Sequence, residues 1–123
     1  MFIPREIYKD LSESSASFPV ITITGPRQSG KTTMLKNIFP EKKYYSLEDP
    51  DVRLIALADP RTFLDQSDTG MIIDEIQRVP ELVSYIQGIV DNMNKPGYYI
   101  LSGSQQLELS QTKRTIIRKY GCY

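Results

Sequence analysis

Apolar residues along this chain fall into two alternating patterns. Short continuous runs rich in β-branched or aromatic residues occur at Val20-Ile21-Thr22-Ile23-Thr24, Lys43-Tyr44-Tyr45-Ser46-Leu47, Met71-Ile72-Ile73 and Tyr98-Tyr99-Ile100-Leu101. Runs of that length predict strands buried in a sheet. Between them the apolar positions recur at helical spacing. Ile7, Tyr8 and Leu11 do so within Pro4–Ser15, and Val52, Ile55 and Ala56 within Asp51–Ala58. Thr33 to Phe39 reads as a helix stopped by Pro40, and Leu82, Val83, Ile86, Ile89 and Val90 form an apolar stripe after Pro80. Asp59-Pro60 is expected to end the helix before it, with a further turn over Arg61–Asp65, and Lys95-Pro96-Gly97 reads as a turn. Strands alternating with helices predict an α/β fold built on a parallel sheet.

The polar stretch after the first strand carries the most chemistry. Gly25-Pro26-Arg27-Gln28-Ser29-Gly30-Lys31-Thr32, followed by Thr33, fits the phosphate-loop pattern G-x-x-x-x-G-K-[ST] at every fixed position. Its place between a strand and a helix is what the chemistry requires. Backbone N–H groups leading into a helix N-terminus present aligned donors and a positive dipole end to clustered phosphate charge. Gly25 and Gly30 permit close backbone approach, Lys31 is expected to reach the β- and γ-phosphates, and the Thr32 hydroxyl to ligate Mg²⁺. These residues, Gly25 to Thr33, form the expected nucleotide-binding segment.

A second constellation ends the third apolar run. Met71-Ile72-Ile73 leads into Asp74-Glu75, which places two carboxylates at the C-terminal end of a buried strand. Asp74 is expected to hold Mg²⁺ opposite Thr32, directly or through water, and Glu75 to polarise a water for in-line attack on the γ-phosphate. Glu48 also ends a predicted strand and competes for the base role.

Composition narrows the setting. The 123 residues suffice for one domain, and the formal net charge of zero gives no global electrostatic case for nucleic acid or an anionic membrane. No apolar run approaches the ~20 residues that span a bilayer. No secretory signal is visible at the N-terminus. The single cysteine, Cys122, cannot form an intrachain disulfide, which suits a reducing cytoplasm. The absence of histidine excludes His-based catalysis and His metal sites, leaving hard oxygen-bound Mg²⁺ as the expected metal.

The phosphate loop, Ser46-Leu47-Glu48-Asp49-Pro50, Ile73-Asp74-Glu75-Ile76-Gln77-Arg78-Val79-Pro80-Glu81-Leu82 and Ile100-Leu101-Ser102-Gly103-Ser104 together resemble a family of prokaryotic predicted ATPases of the AAA+ superfamily. The resemblance covers roughly residues 3–112 and is most specific from Asp74 to Leu82. It implies a P-loop three-layer sandwich with spatial strand order 5-1-4-3-2 and Mg-dependent ATP hydrolysis. It also implies a polar γ-phosphate sensor at Ser104 or Gln105, with Ser102 as the alternative.

The tail departs from that pattern. Family members continue after Gln111 with a Gly-Arg segment, a fifth strand and a C-terminal domain. Here Thr112 to Tyr123 carries four basic residues and no acidic ones. The expectation is therefore a truncated core over residues 1–112, with strand order 1-4-3-2 and the fifth strand missing, followed by a basic tail over 113–123. The strand bearing the phosphate loop would then lie at an open edge, inviting self-association. Ile116-Ile117 offers a partner for that edge, in this chain or in a second copy, and the tail's cations suggest a nucleic-acid arm as an alternative. Arg27 and Arg78 are the arginines near the expected site.

The leading reading is an ATPase with impaired turnover. The alternative is a non-catalytic nucleotide-binding or regulatory module. A small-molecule kinase lacks room for a lid. A GTPase is disfavoured because Asn94-Lys95-Pro96-Gly97 has glycine where guanine recognition needs a carboxylate.

Overall fold

The computed structural model describes residues 5–24, 31–67, 69–91, 95–103 and 115–119, with the side chains of 115–119 and of Lys31 among those left undescribed. The phosphate-loop residues Gly25 to Gly30, together with Ser104, Gln105 and Asn94, lie outside the described residues.

The elements run α1 (Arg5–Ser17), β1 (Val20–Thr24), α2 (Lys31–Ile38), β2 (Lys43–Ser46), α3 (Pro50–Ala58), α4 (Pro60–Leu64), β3 (Met71–Asp74), a single 3₁₀ turn (Ile76–Arg78), α5 (Glu81–Val90), β4 (Tyr99–Gly103) and β5 (Thr115–Lys119). All the pairings are parallel, and the sheet order is β2-β3-β4-β1-β5. The expected order 1-4-3-2 is present. The expected loss of the fifth strand is corrected: Thr115–Lys119 pairs with β1 from Val20↔Thr115 to Thr24↔Lys119. The β-branched run Thr115-Ile116-Ile117 suits a strand, and pairing it satisfies backbone groups that β1 would otherwise leave open. Self-association through an open β1 edge loses its basis for the same reason.

Strand alternation sorts the core into two layers. Val20, Met71, Ile73, Tyr99 and Leu101 face one way and pack with Ala56, Phe63, Leu64, Leu82, Ile86 and Val90 from α3, α4 and α5. Ile21, Ile23, Ile72 and Ile100 face the other way and pack with Leu11 of α1 and with Met34, Leu35 and Ile38 of α2. The result is the expected three-layer sandwich. Both Asp-Pro pairs start helices: Asp49 caps α3 by accepting from the Asp51 N–H, and Asp59 caps α4 by accepting from the Thr62 N–H.

Candidate functional site

Strand register sets the site at one end of the sheet. Thr24 is level with Gly103 and Lys119, and Ser46 with Asp74, so β1 to β5 end together. Ligands of open parallel sheets bind at this C-terminal end, where the phosphate loop leaves β1. The even-numbered residues of β2, β3 and β4 face α2, which places Tyr44, Asp74 and Ser102 on the side where α2 begins. α2 starts at Lys31, two residues before the position the apolar spacing indicates, so Thr32 lies in its first turn.

Asp74 is the centre of the arrangement. It is 6 % exposed and its carboxylate collects several donors. Thr32 Oγ1 and the Tyr44 hydroxyl each donate to Oδ2 at 2.6 Å. On the other oxygen, Ser102 Oγ and the backbone N–H of Glu75 (3.0 Å) donate to Oδ1. A buried carboxylate persists only with such partners, and these bonds tie α2, β2, β3 and β4 into one cluster. Tyr44 is pushed up to about 12, first by burial and then by the hydrogen bond and charge of Asp74. Lys36 of α2 sits over its ring, 4.0 Å from the centroid.

Glu75 follows in a different backbone state. Its φ of 58° and ψ of 47° are left-handed, unusual for a residue with a Cβ and costing about 1–2 kcal/mol. The reversal carries the chain from β3 into the 3₁₀ turn, and the Arg78 N–H closes that turn on the Glu75 carbonyl at 3.0 Å. The side chain is buried, and its Oε2 accepts from Gln77 Nε2 at 2.6 Å. Glu48 is instead exposed and faces Arg78 at 3.9 Å, so these two expected contributors are matched to each other.

The structure thus brings Thr32, Asp74 and Ser102 together and puts Glu75 beside them, while Ser104 falls outside the described residues. Sequence reading missed Tyr44 and Gln77. Tyr44 sits two positions before the end of β2 on the α2 face, a signal legible only once the parity of β2 is known. Gln77 carries no periodic signal.

The donor set fits a magnesium–nucleotide. Asp74 and Thr32 supply hard oxygens, and no group of three or more His, Cys, Asp or Glu residues occurs among the described residues to form an all-protein cage. Mg²⁺ characteristically takes one or two protein oxygens and completes its shell with phosphate and water.

Known proteins resemble this chain in sequence and in fold. A family profile described as an AAA domain matches residues 17–121, and so takes in β5 as well as the core. The uncharacterized proteins Rv2008c of Mycobacterium tuberculosis and Mb2031c of Mycobacterium bovis are each 36 % identical over 94 residues, covering 74 % of this chain and 21 % of their own length. The chain therefore spans about a fifth of the curated relatives it matches. Among solved structures, C. elegans PCH-2 superimposes with a TM-score of 0.56 at 14 % identity, covering 94 % of this chain and 41 % of that one. A DNA replication initiation factor gives 0.56 at 18 % identity, covering 81 % and 36 %. At those identities the likeness is one of fold. The chain belongs to the AAA domain family and is a nucleotide-binding P-loop domain of the AAA+ type.

Proposed function

We propose that this domain binds ATP with Mg²⁺ and hydrolyses it. The observation that carries the reading is the 2.6 Å hydrogen bond from Thr32 to Asp74, which joins the start of α2 to the end of β3 across 42 residues of sequence. In this reading Gly25 to Thr33 wrap the phosphates, Lys31 neutralises β- and γ-phosphate charge, and Thr32 with Asp74 holds the metal. When bound, the metal supplies charge neutralisation to the triphosphate. Glu75 takes a proton from water as its oxygen bonds to the γ-phosphorus. The bond to the bridging oxygen breaks, releasing ADP and phosphate. Ser104 senses the γ-phosphate, and Ser102 anchors Asp74 through its hydroxyl. The setting is cytoplasmic. No helix among the described residues is long and apolar enough to cross a membrane.

Calorimetric titration with Mg-ATP and Mg-GTP, paired with phosphate release, tests the reading. Wild type should bind Mg-ATP, Thr32→Ala and Asp74→Ala should weaken binding, and Glu75→Gln should retain affinity while turnover disappears. Binding of neither nucleotide would overturn it. Binding without turnover above buffer would leave a non-catalytic nucleotide module.

A further inference from the structure

Glu75 is held by more than its own backbone. Its Oε2 accepts from Gln77 Nε2 at 2.6 Å, a short contact for a neutral amide donor to a carboxylate. The piece of chain that presents the amide is fixed. Gln77 is the middle residue of the 3₁₀ turn, closed by Arg78 N–H to Glu75 O at 3.0 Å and Val79 N–H to Ile76 O at 3.1 Å. Ile76 and Val79, on either side of it, are buried in the core layer formed with α5. The left-handed backbone at Glu75 is what brings the carboxylate and the amide, two residues apart, onto the same side. A strained residue whose side chain is also clamped is over-determined, and such positions cluster where orientation matters.

We infer that Gln77 is the positioning residue for Glu75: its amide holds one carboxylate oxygen so that the base meets water in a single orientation. This inference rests on the hydrolase reading and adds the part of the site that neither the phosphate loop nor the acidic pair supplies. Orientation of a reacting group acts on the chemical step rather than on ground-state affinity, and a misplacement of about 1 Å costs on the order of 10²-fold. Gln77 should therefore govern kcat and leave nucleotide affinity alone.

The test is a set of substitutions in the full chain, each read by kcat, KM, calorimetric affinity for Mg-ATP and thermal melting. Gln77→Ala and Gln77→Met, which lose the donor, should lower kcat by about 10- to 100-fold with affinity within about threefold of wild type. Gln77→Glu keeps the size, loses the donor and adds a like charge, so it should be at least as slow. Gln77→Lys restores a donor of similar reach and should recover part of the loss. Independently of turnover, the Gln77 side-chain amide resonances in ¹⁵N spectra of the nucleotide-free protein should shift in Glu75→Ala. The inference is overturned if Glu75→Gln stops hydrolysis while Gln77→Ala matches wild type. It is overturned equally if Gln77→Met or Gln77→Glu is as active as wild type, if affinity falls in step with kcat, or if the amide resonances ignore Glu75→Ala. A wild-type chain without turnover, or an active Glu75→Gln, defeats the hydrolase reading itself and takes the inference with it.

Discussion

Replacing Tyr44 by Phe removes one oxygen from the cluster and leaves the ring in place. That oxygen donates to Asp74 Oδ2 at 2.6 Å, alongside Thr32 on the same carboxylate oxygen. A hydrogen bond to an ionised group contributes about 1.5–3 kcal/mol net. Asp74 keeps Thr32, Ser102 and the Glu75 N–H, so the carboxylate is not stranded and the loss falls around or below the bottom of that range, about 1–2 kcal/mol. With an unfolding entropy near 2.1 cal/mol/K per residue, a 123-residue domain loses about 4 °C of Tm per kcal/mol. The Tyr44→Phe protein should melt about 4–8 °C below wild type at neutral pH.

The same substitution has a pH signature. Folding raises the Tyr44 hydroxyl from its ordinary 10.0 to about 12, so its contribution is complete below pH 10 and disappears as pH climbs towards 12. Phenylalanine has no such contribution to lose. Far-UV circular dichroism melts of both proteins should show a constant gap from about pH 7 to 9 that narrows above pH 10. A gap under about 1 °C at neutral pH, or one that stays constant to pH 12, would refute the reasoning.

Three further substitutions probe the scaffold. Gly70→Ala should lower stability by at least about 2 kcal/mol in urea titrations, because φ is +104° and an added Cβ would lie 2.5 Å from the Tyr98 carbonyl that accepts the first bond of β3; an unchanged midpoint contradicts this. Thr22→Val should raise stability by about 1 kcal/mol, since Oγ1 is buried without a hydrogen-bond partner among the described residues, and a lower denaturation midpoint sinks the argument. Tyr99→Phe should cost about 1–2 kcal/mol by leaving the Leu64 carbonyl, bonded at 2.8 Å, without its donor. The Tyr99 hydroxyl is pushed up from 10.0 chiefly by burial, with Tyr98 and Asp65 adding to it, so wild type should lose stability above pH 10 more steeply than the variant; parallel pH curves would show the hydroxyl to be solvated.

The parts of the fold legible in the sequence are those a local window contains. β1, β3 and β4 are buried on both faces, so their β-branched and apolar runs stand out, and the phosphate loop and acidic pair announce themselves by spacing. Asp59-Pro60 reads as a helix stop because proline does end helices, and α3 does end at Ala58. Yet both Asp-Pro pairs do more. They start α3 and α4 because aspartate caps and proline suits the first turn, and both roles share one dipeptide. Tyr44 and Gln77 were hidden for a different reason. The first needs the parity of β2, and the second needs a left-handed residue at Glu75 that no propensity favours.

The tail shows how a long-range requirement overrides composition. Its cations suggest a nucleic-acid arm, while Ile116-Ile117 offers a neighbour for an open edge in this chain or in a second copy. β1 supplies one: it is fully buried, it carries the phosphate loop, and with β4 on one side it needs a neighbour on the other. Pairing in parallel register sets Ile116 and Ile117 beside Ile21 and Thr22, midway along β1. The same register brings Arg118 and Lys119 level with Ile23 and Thr24, at the end where the phosphate loop begins.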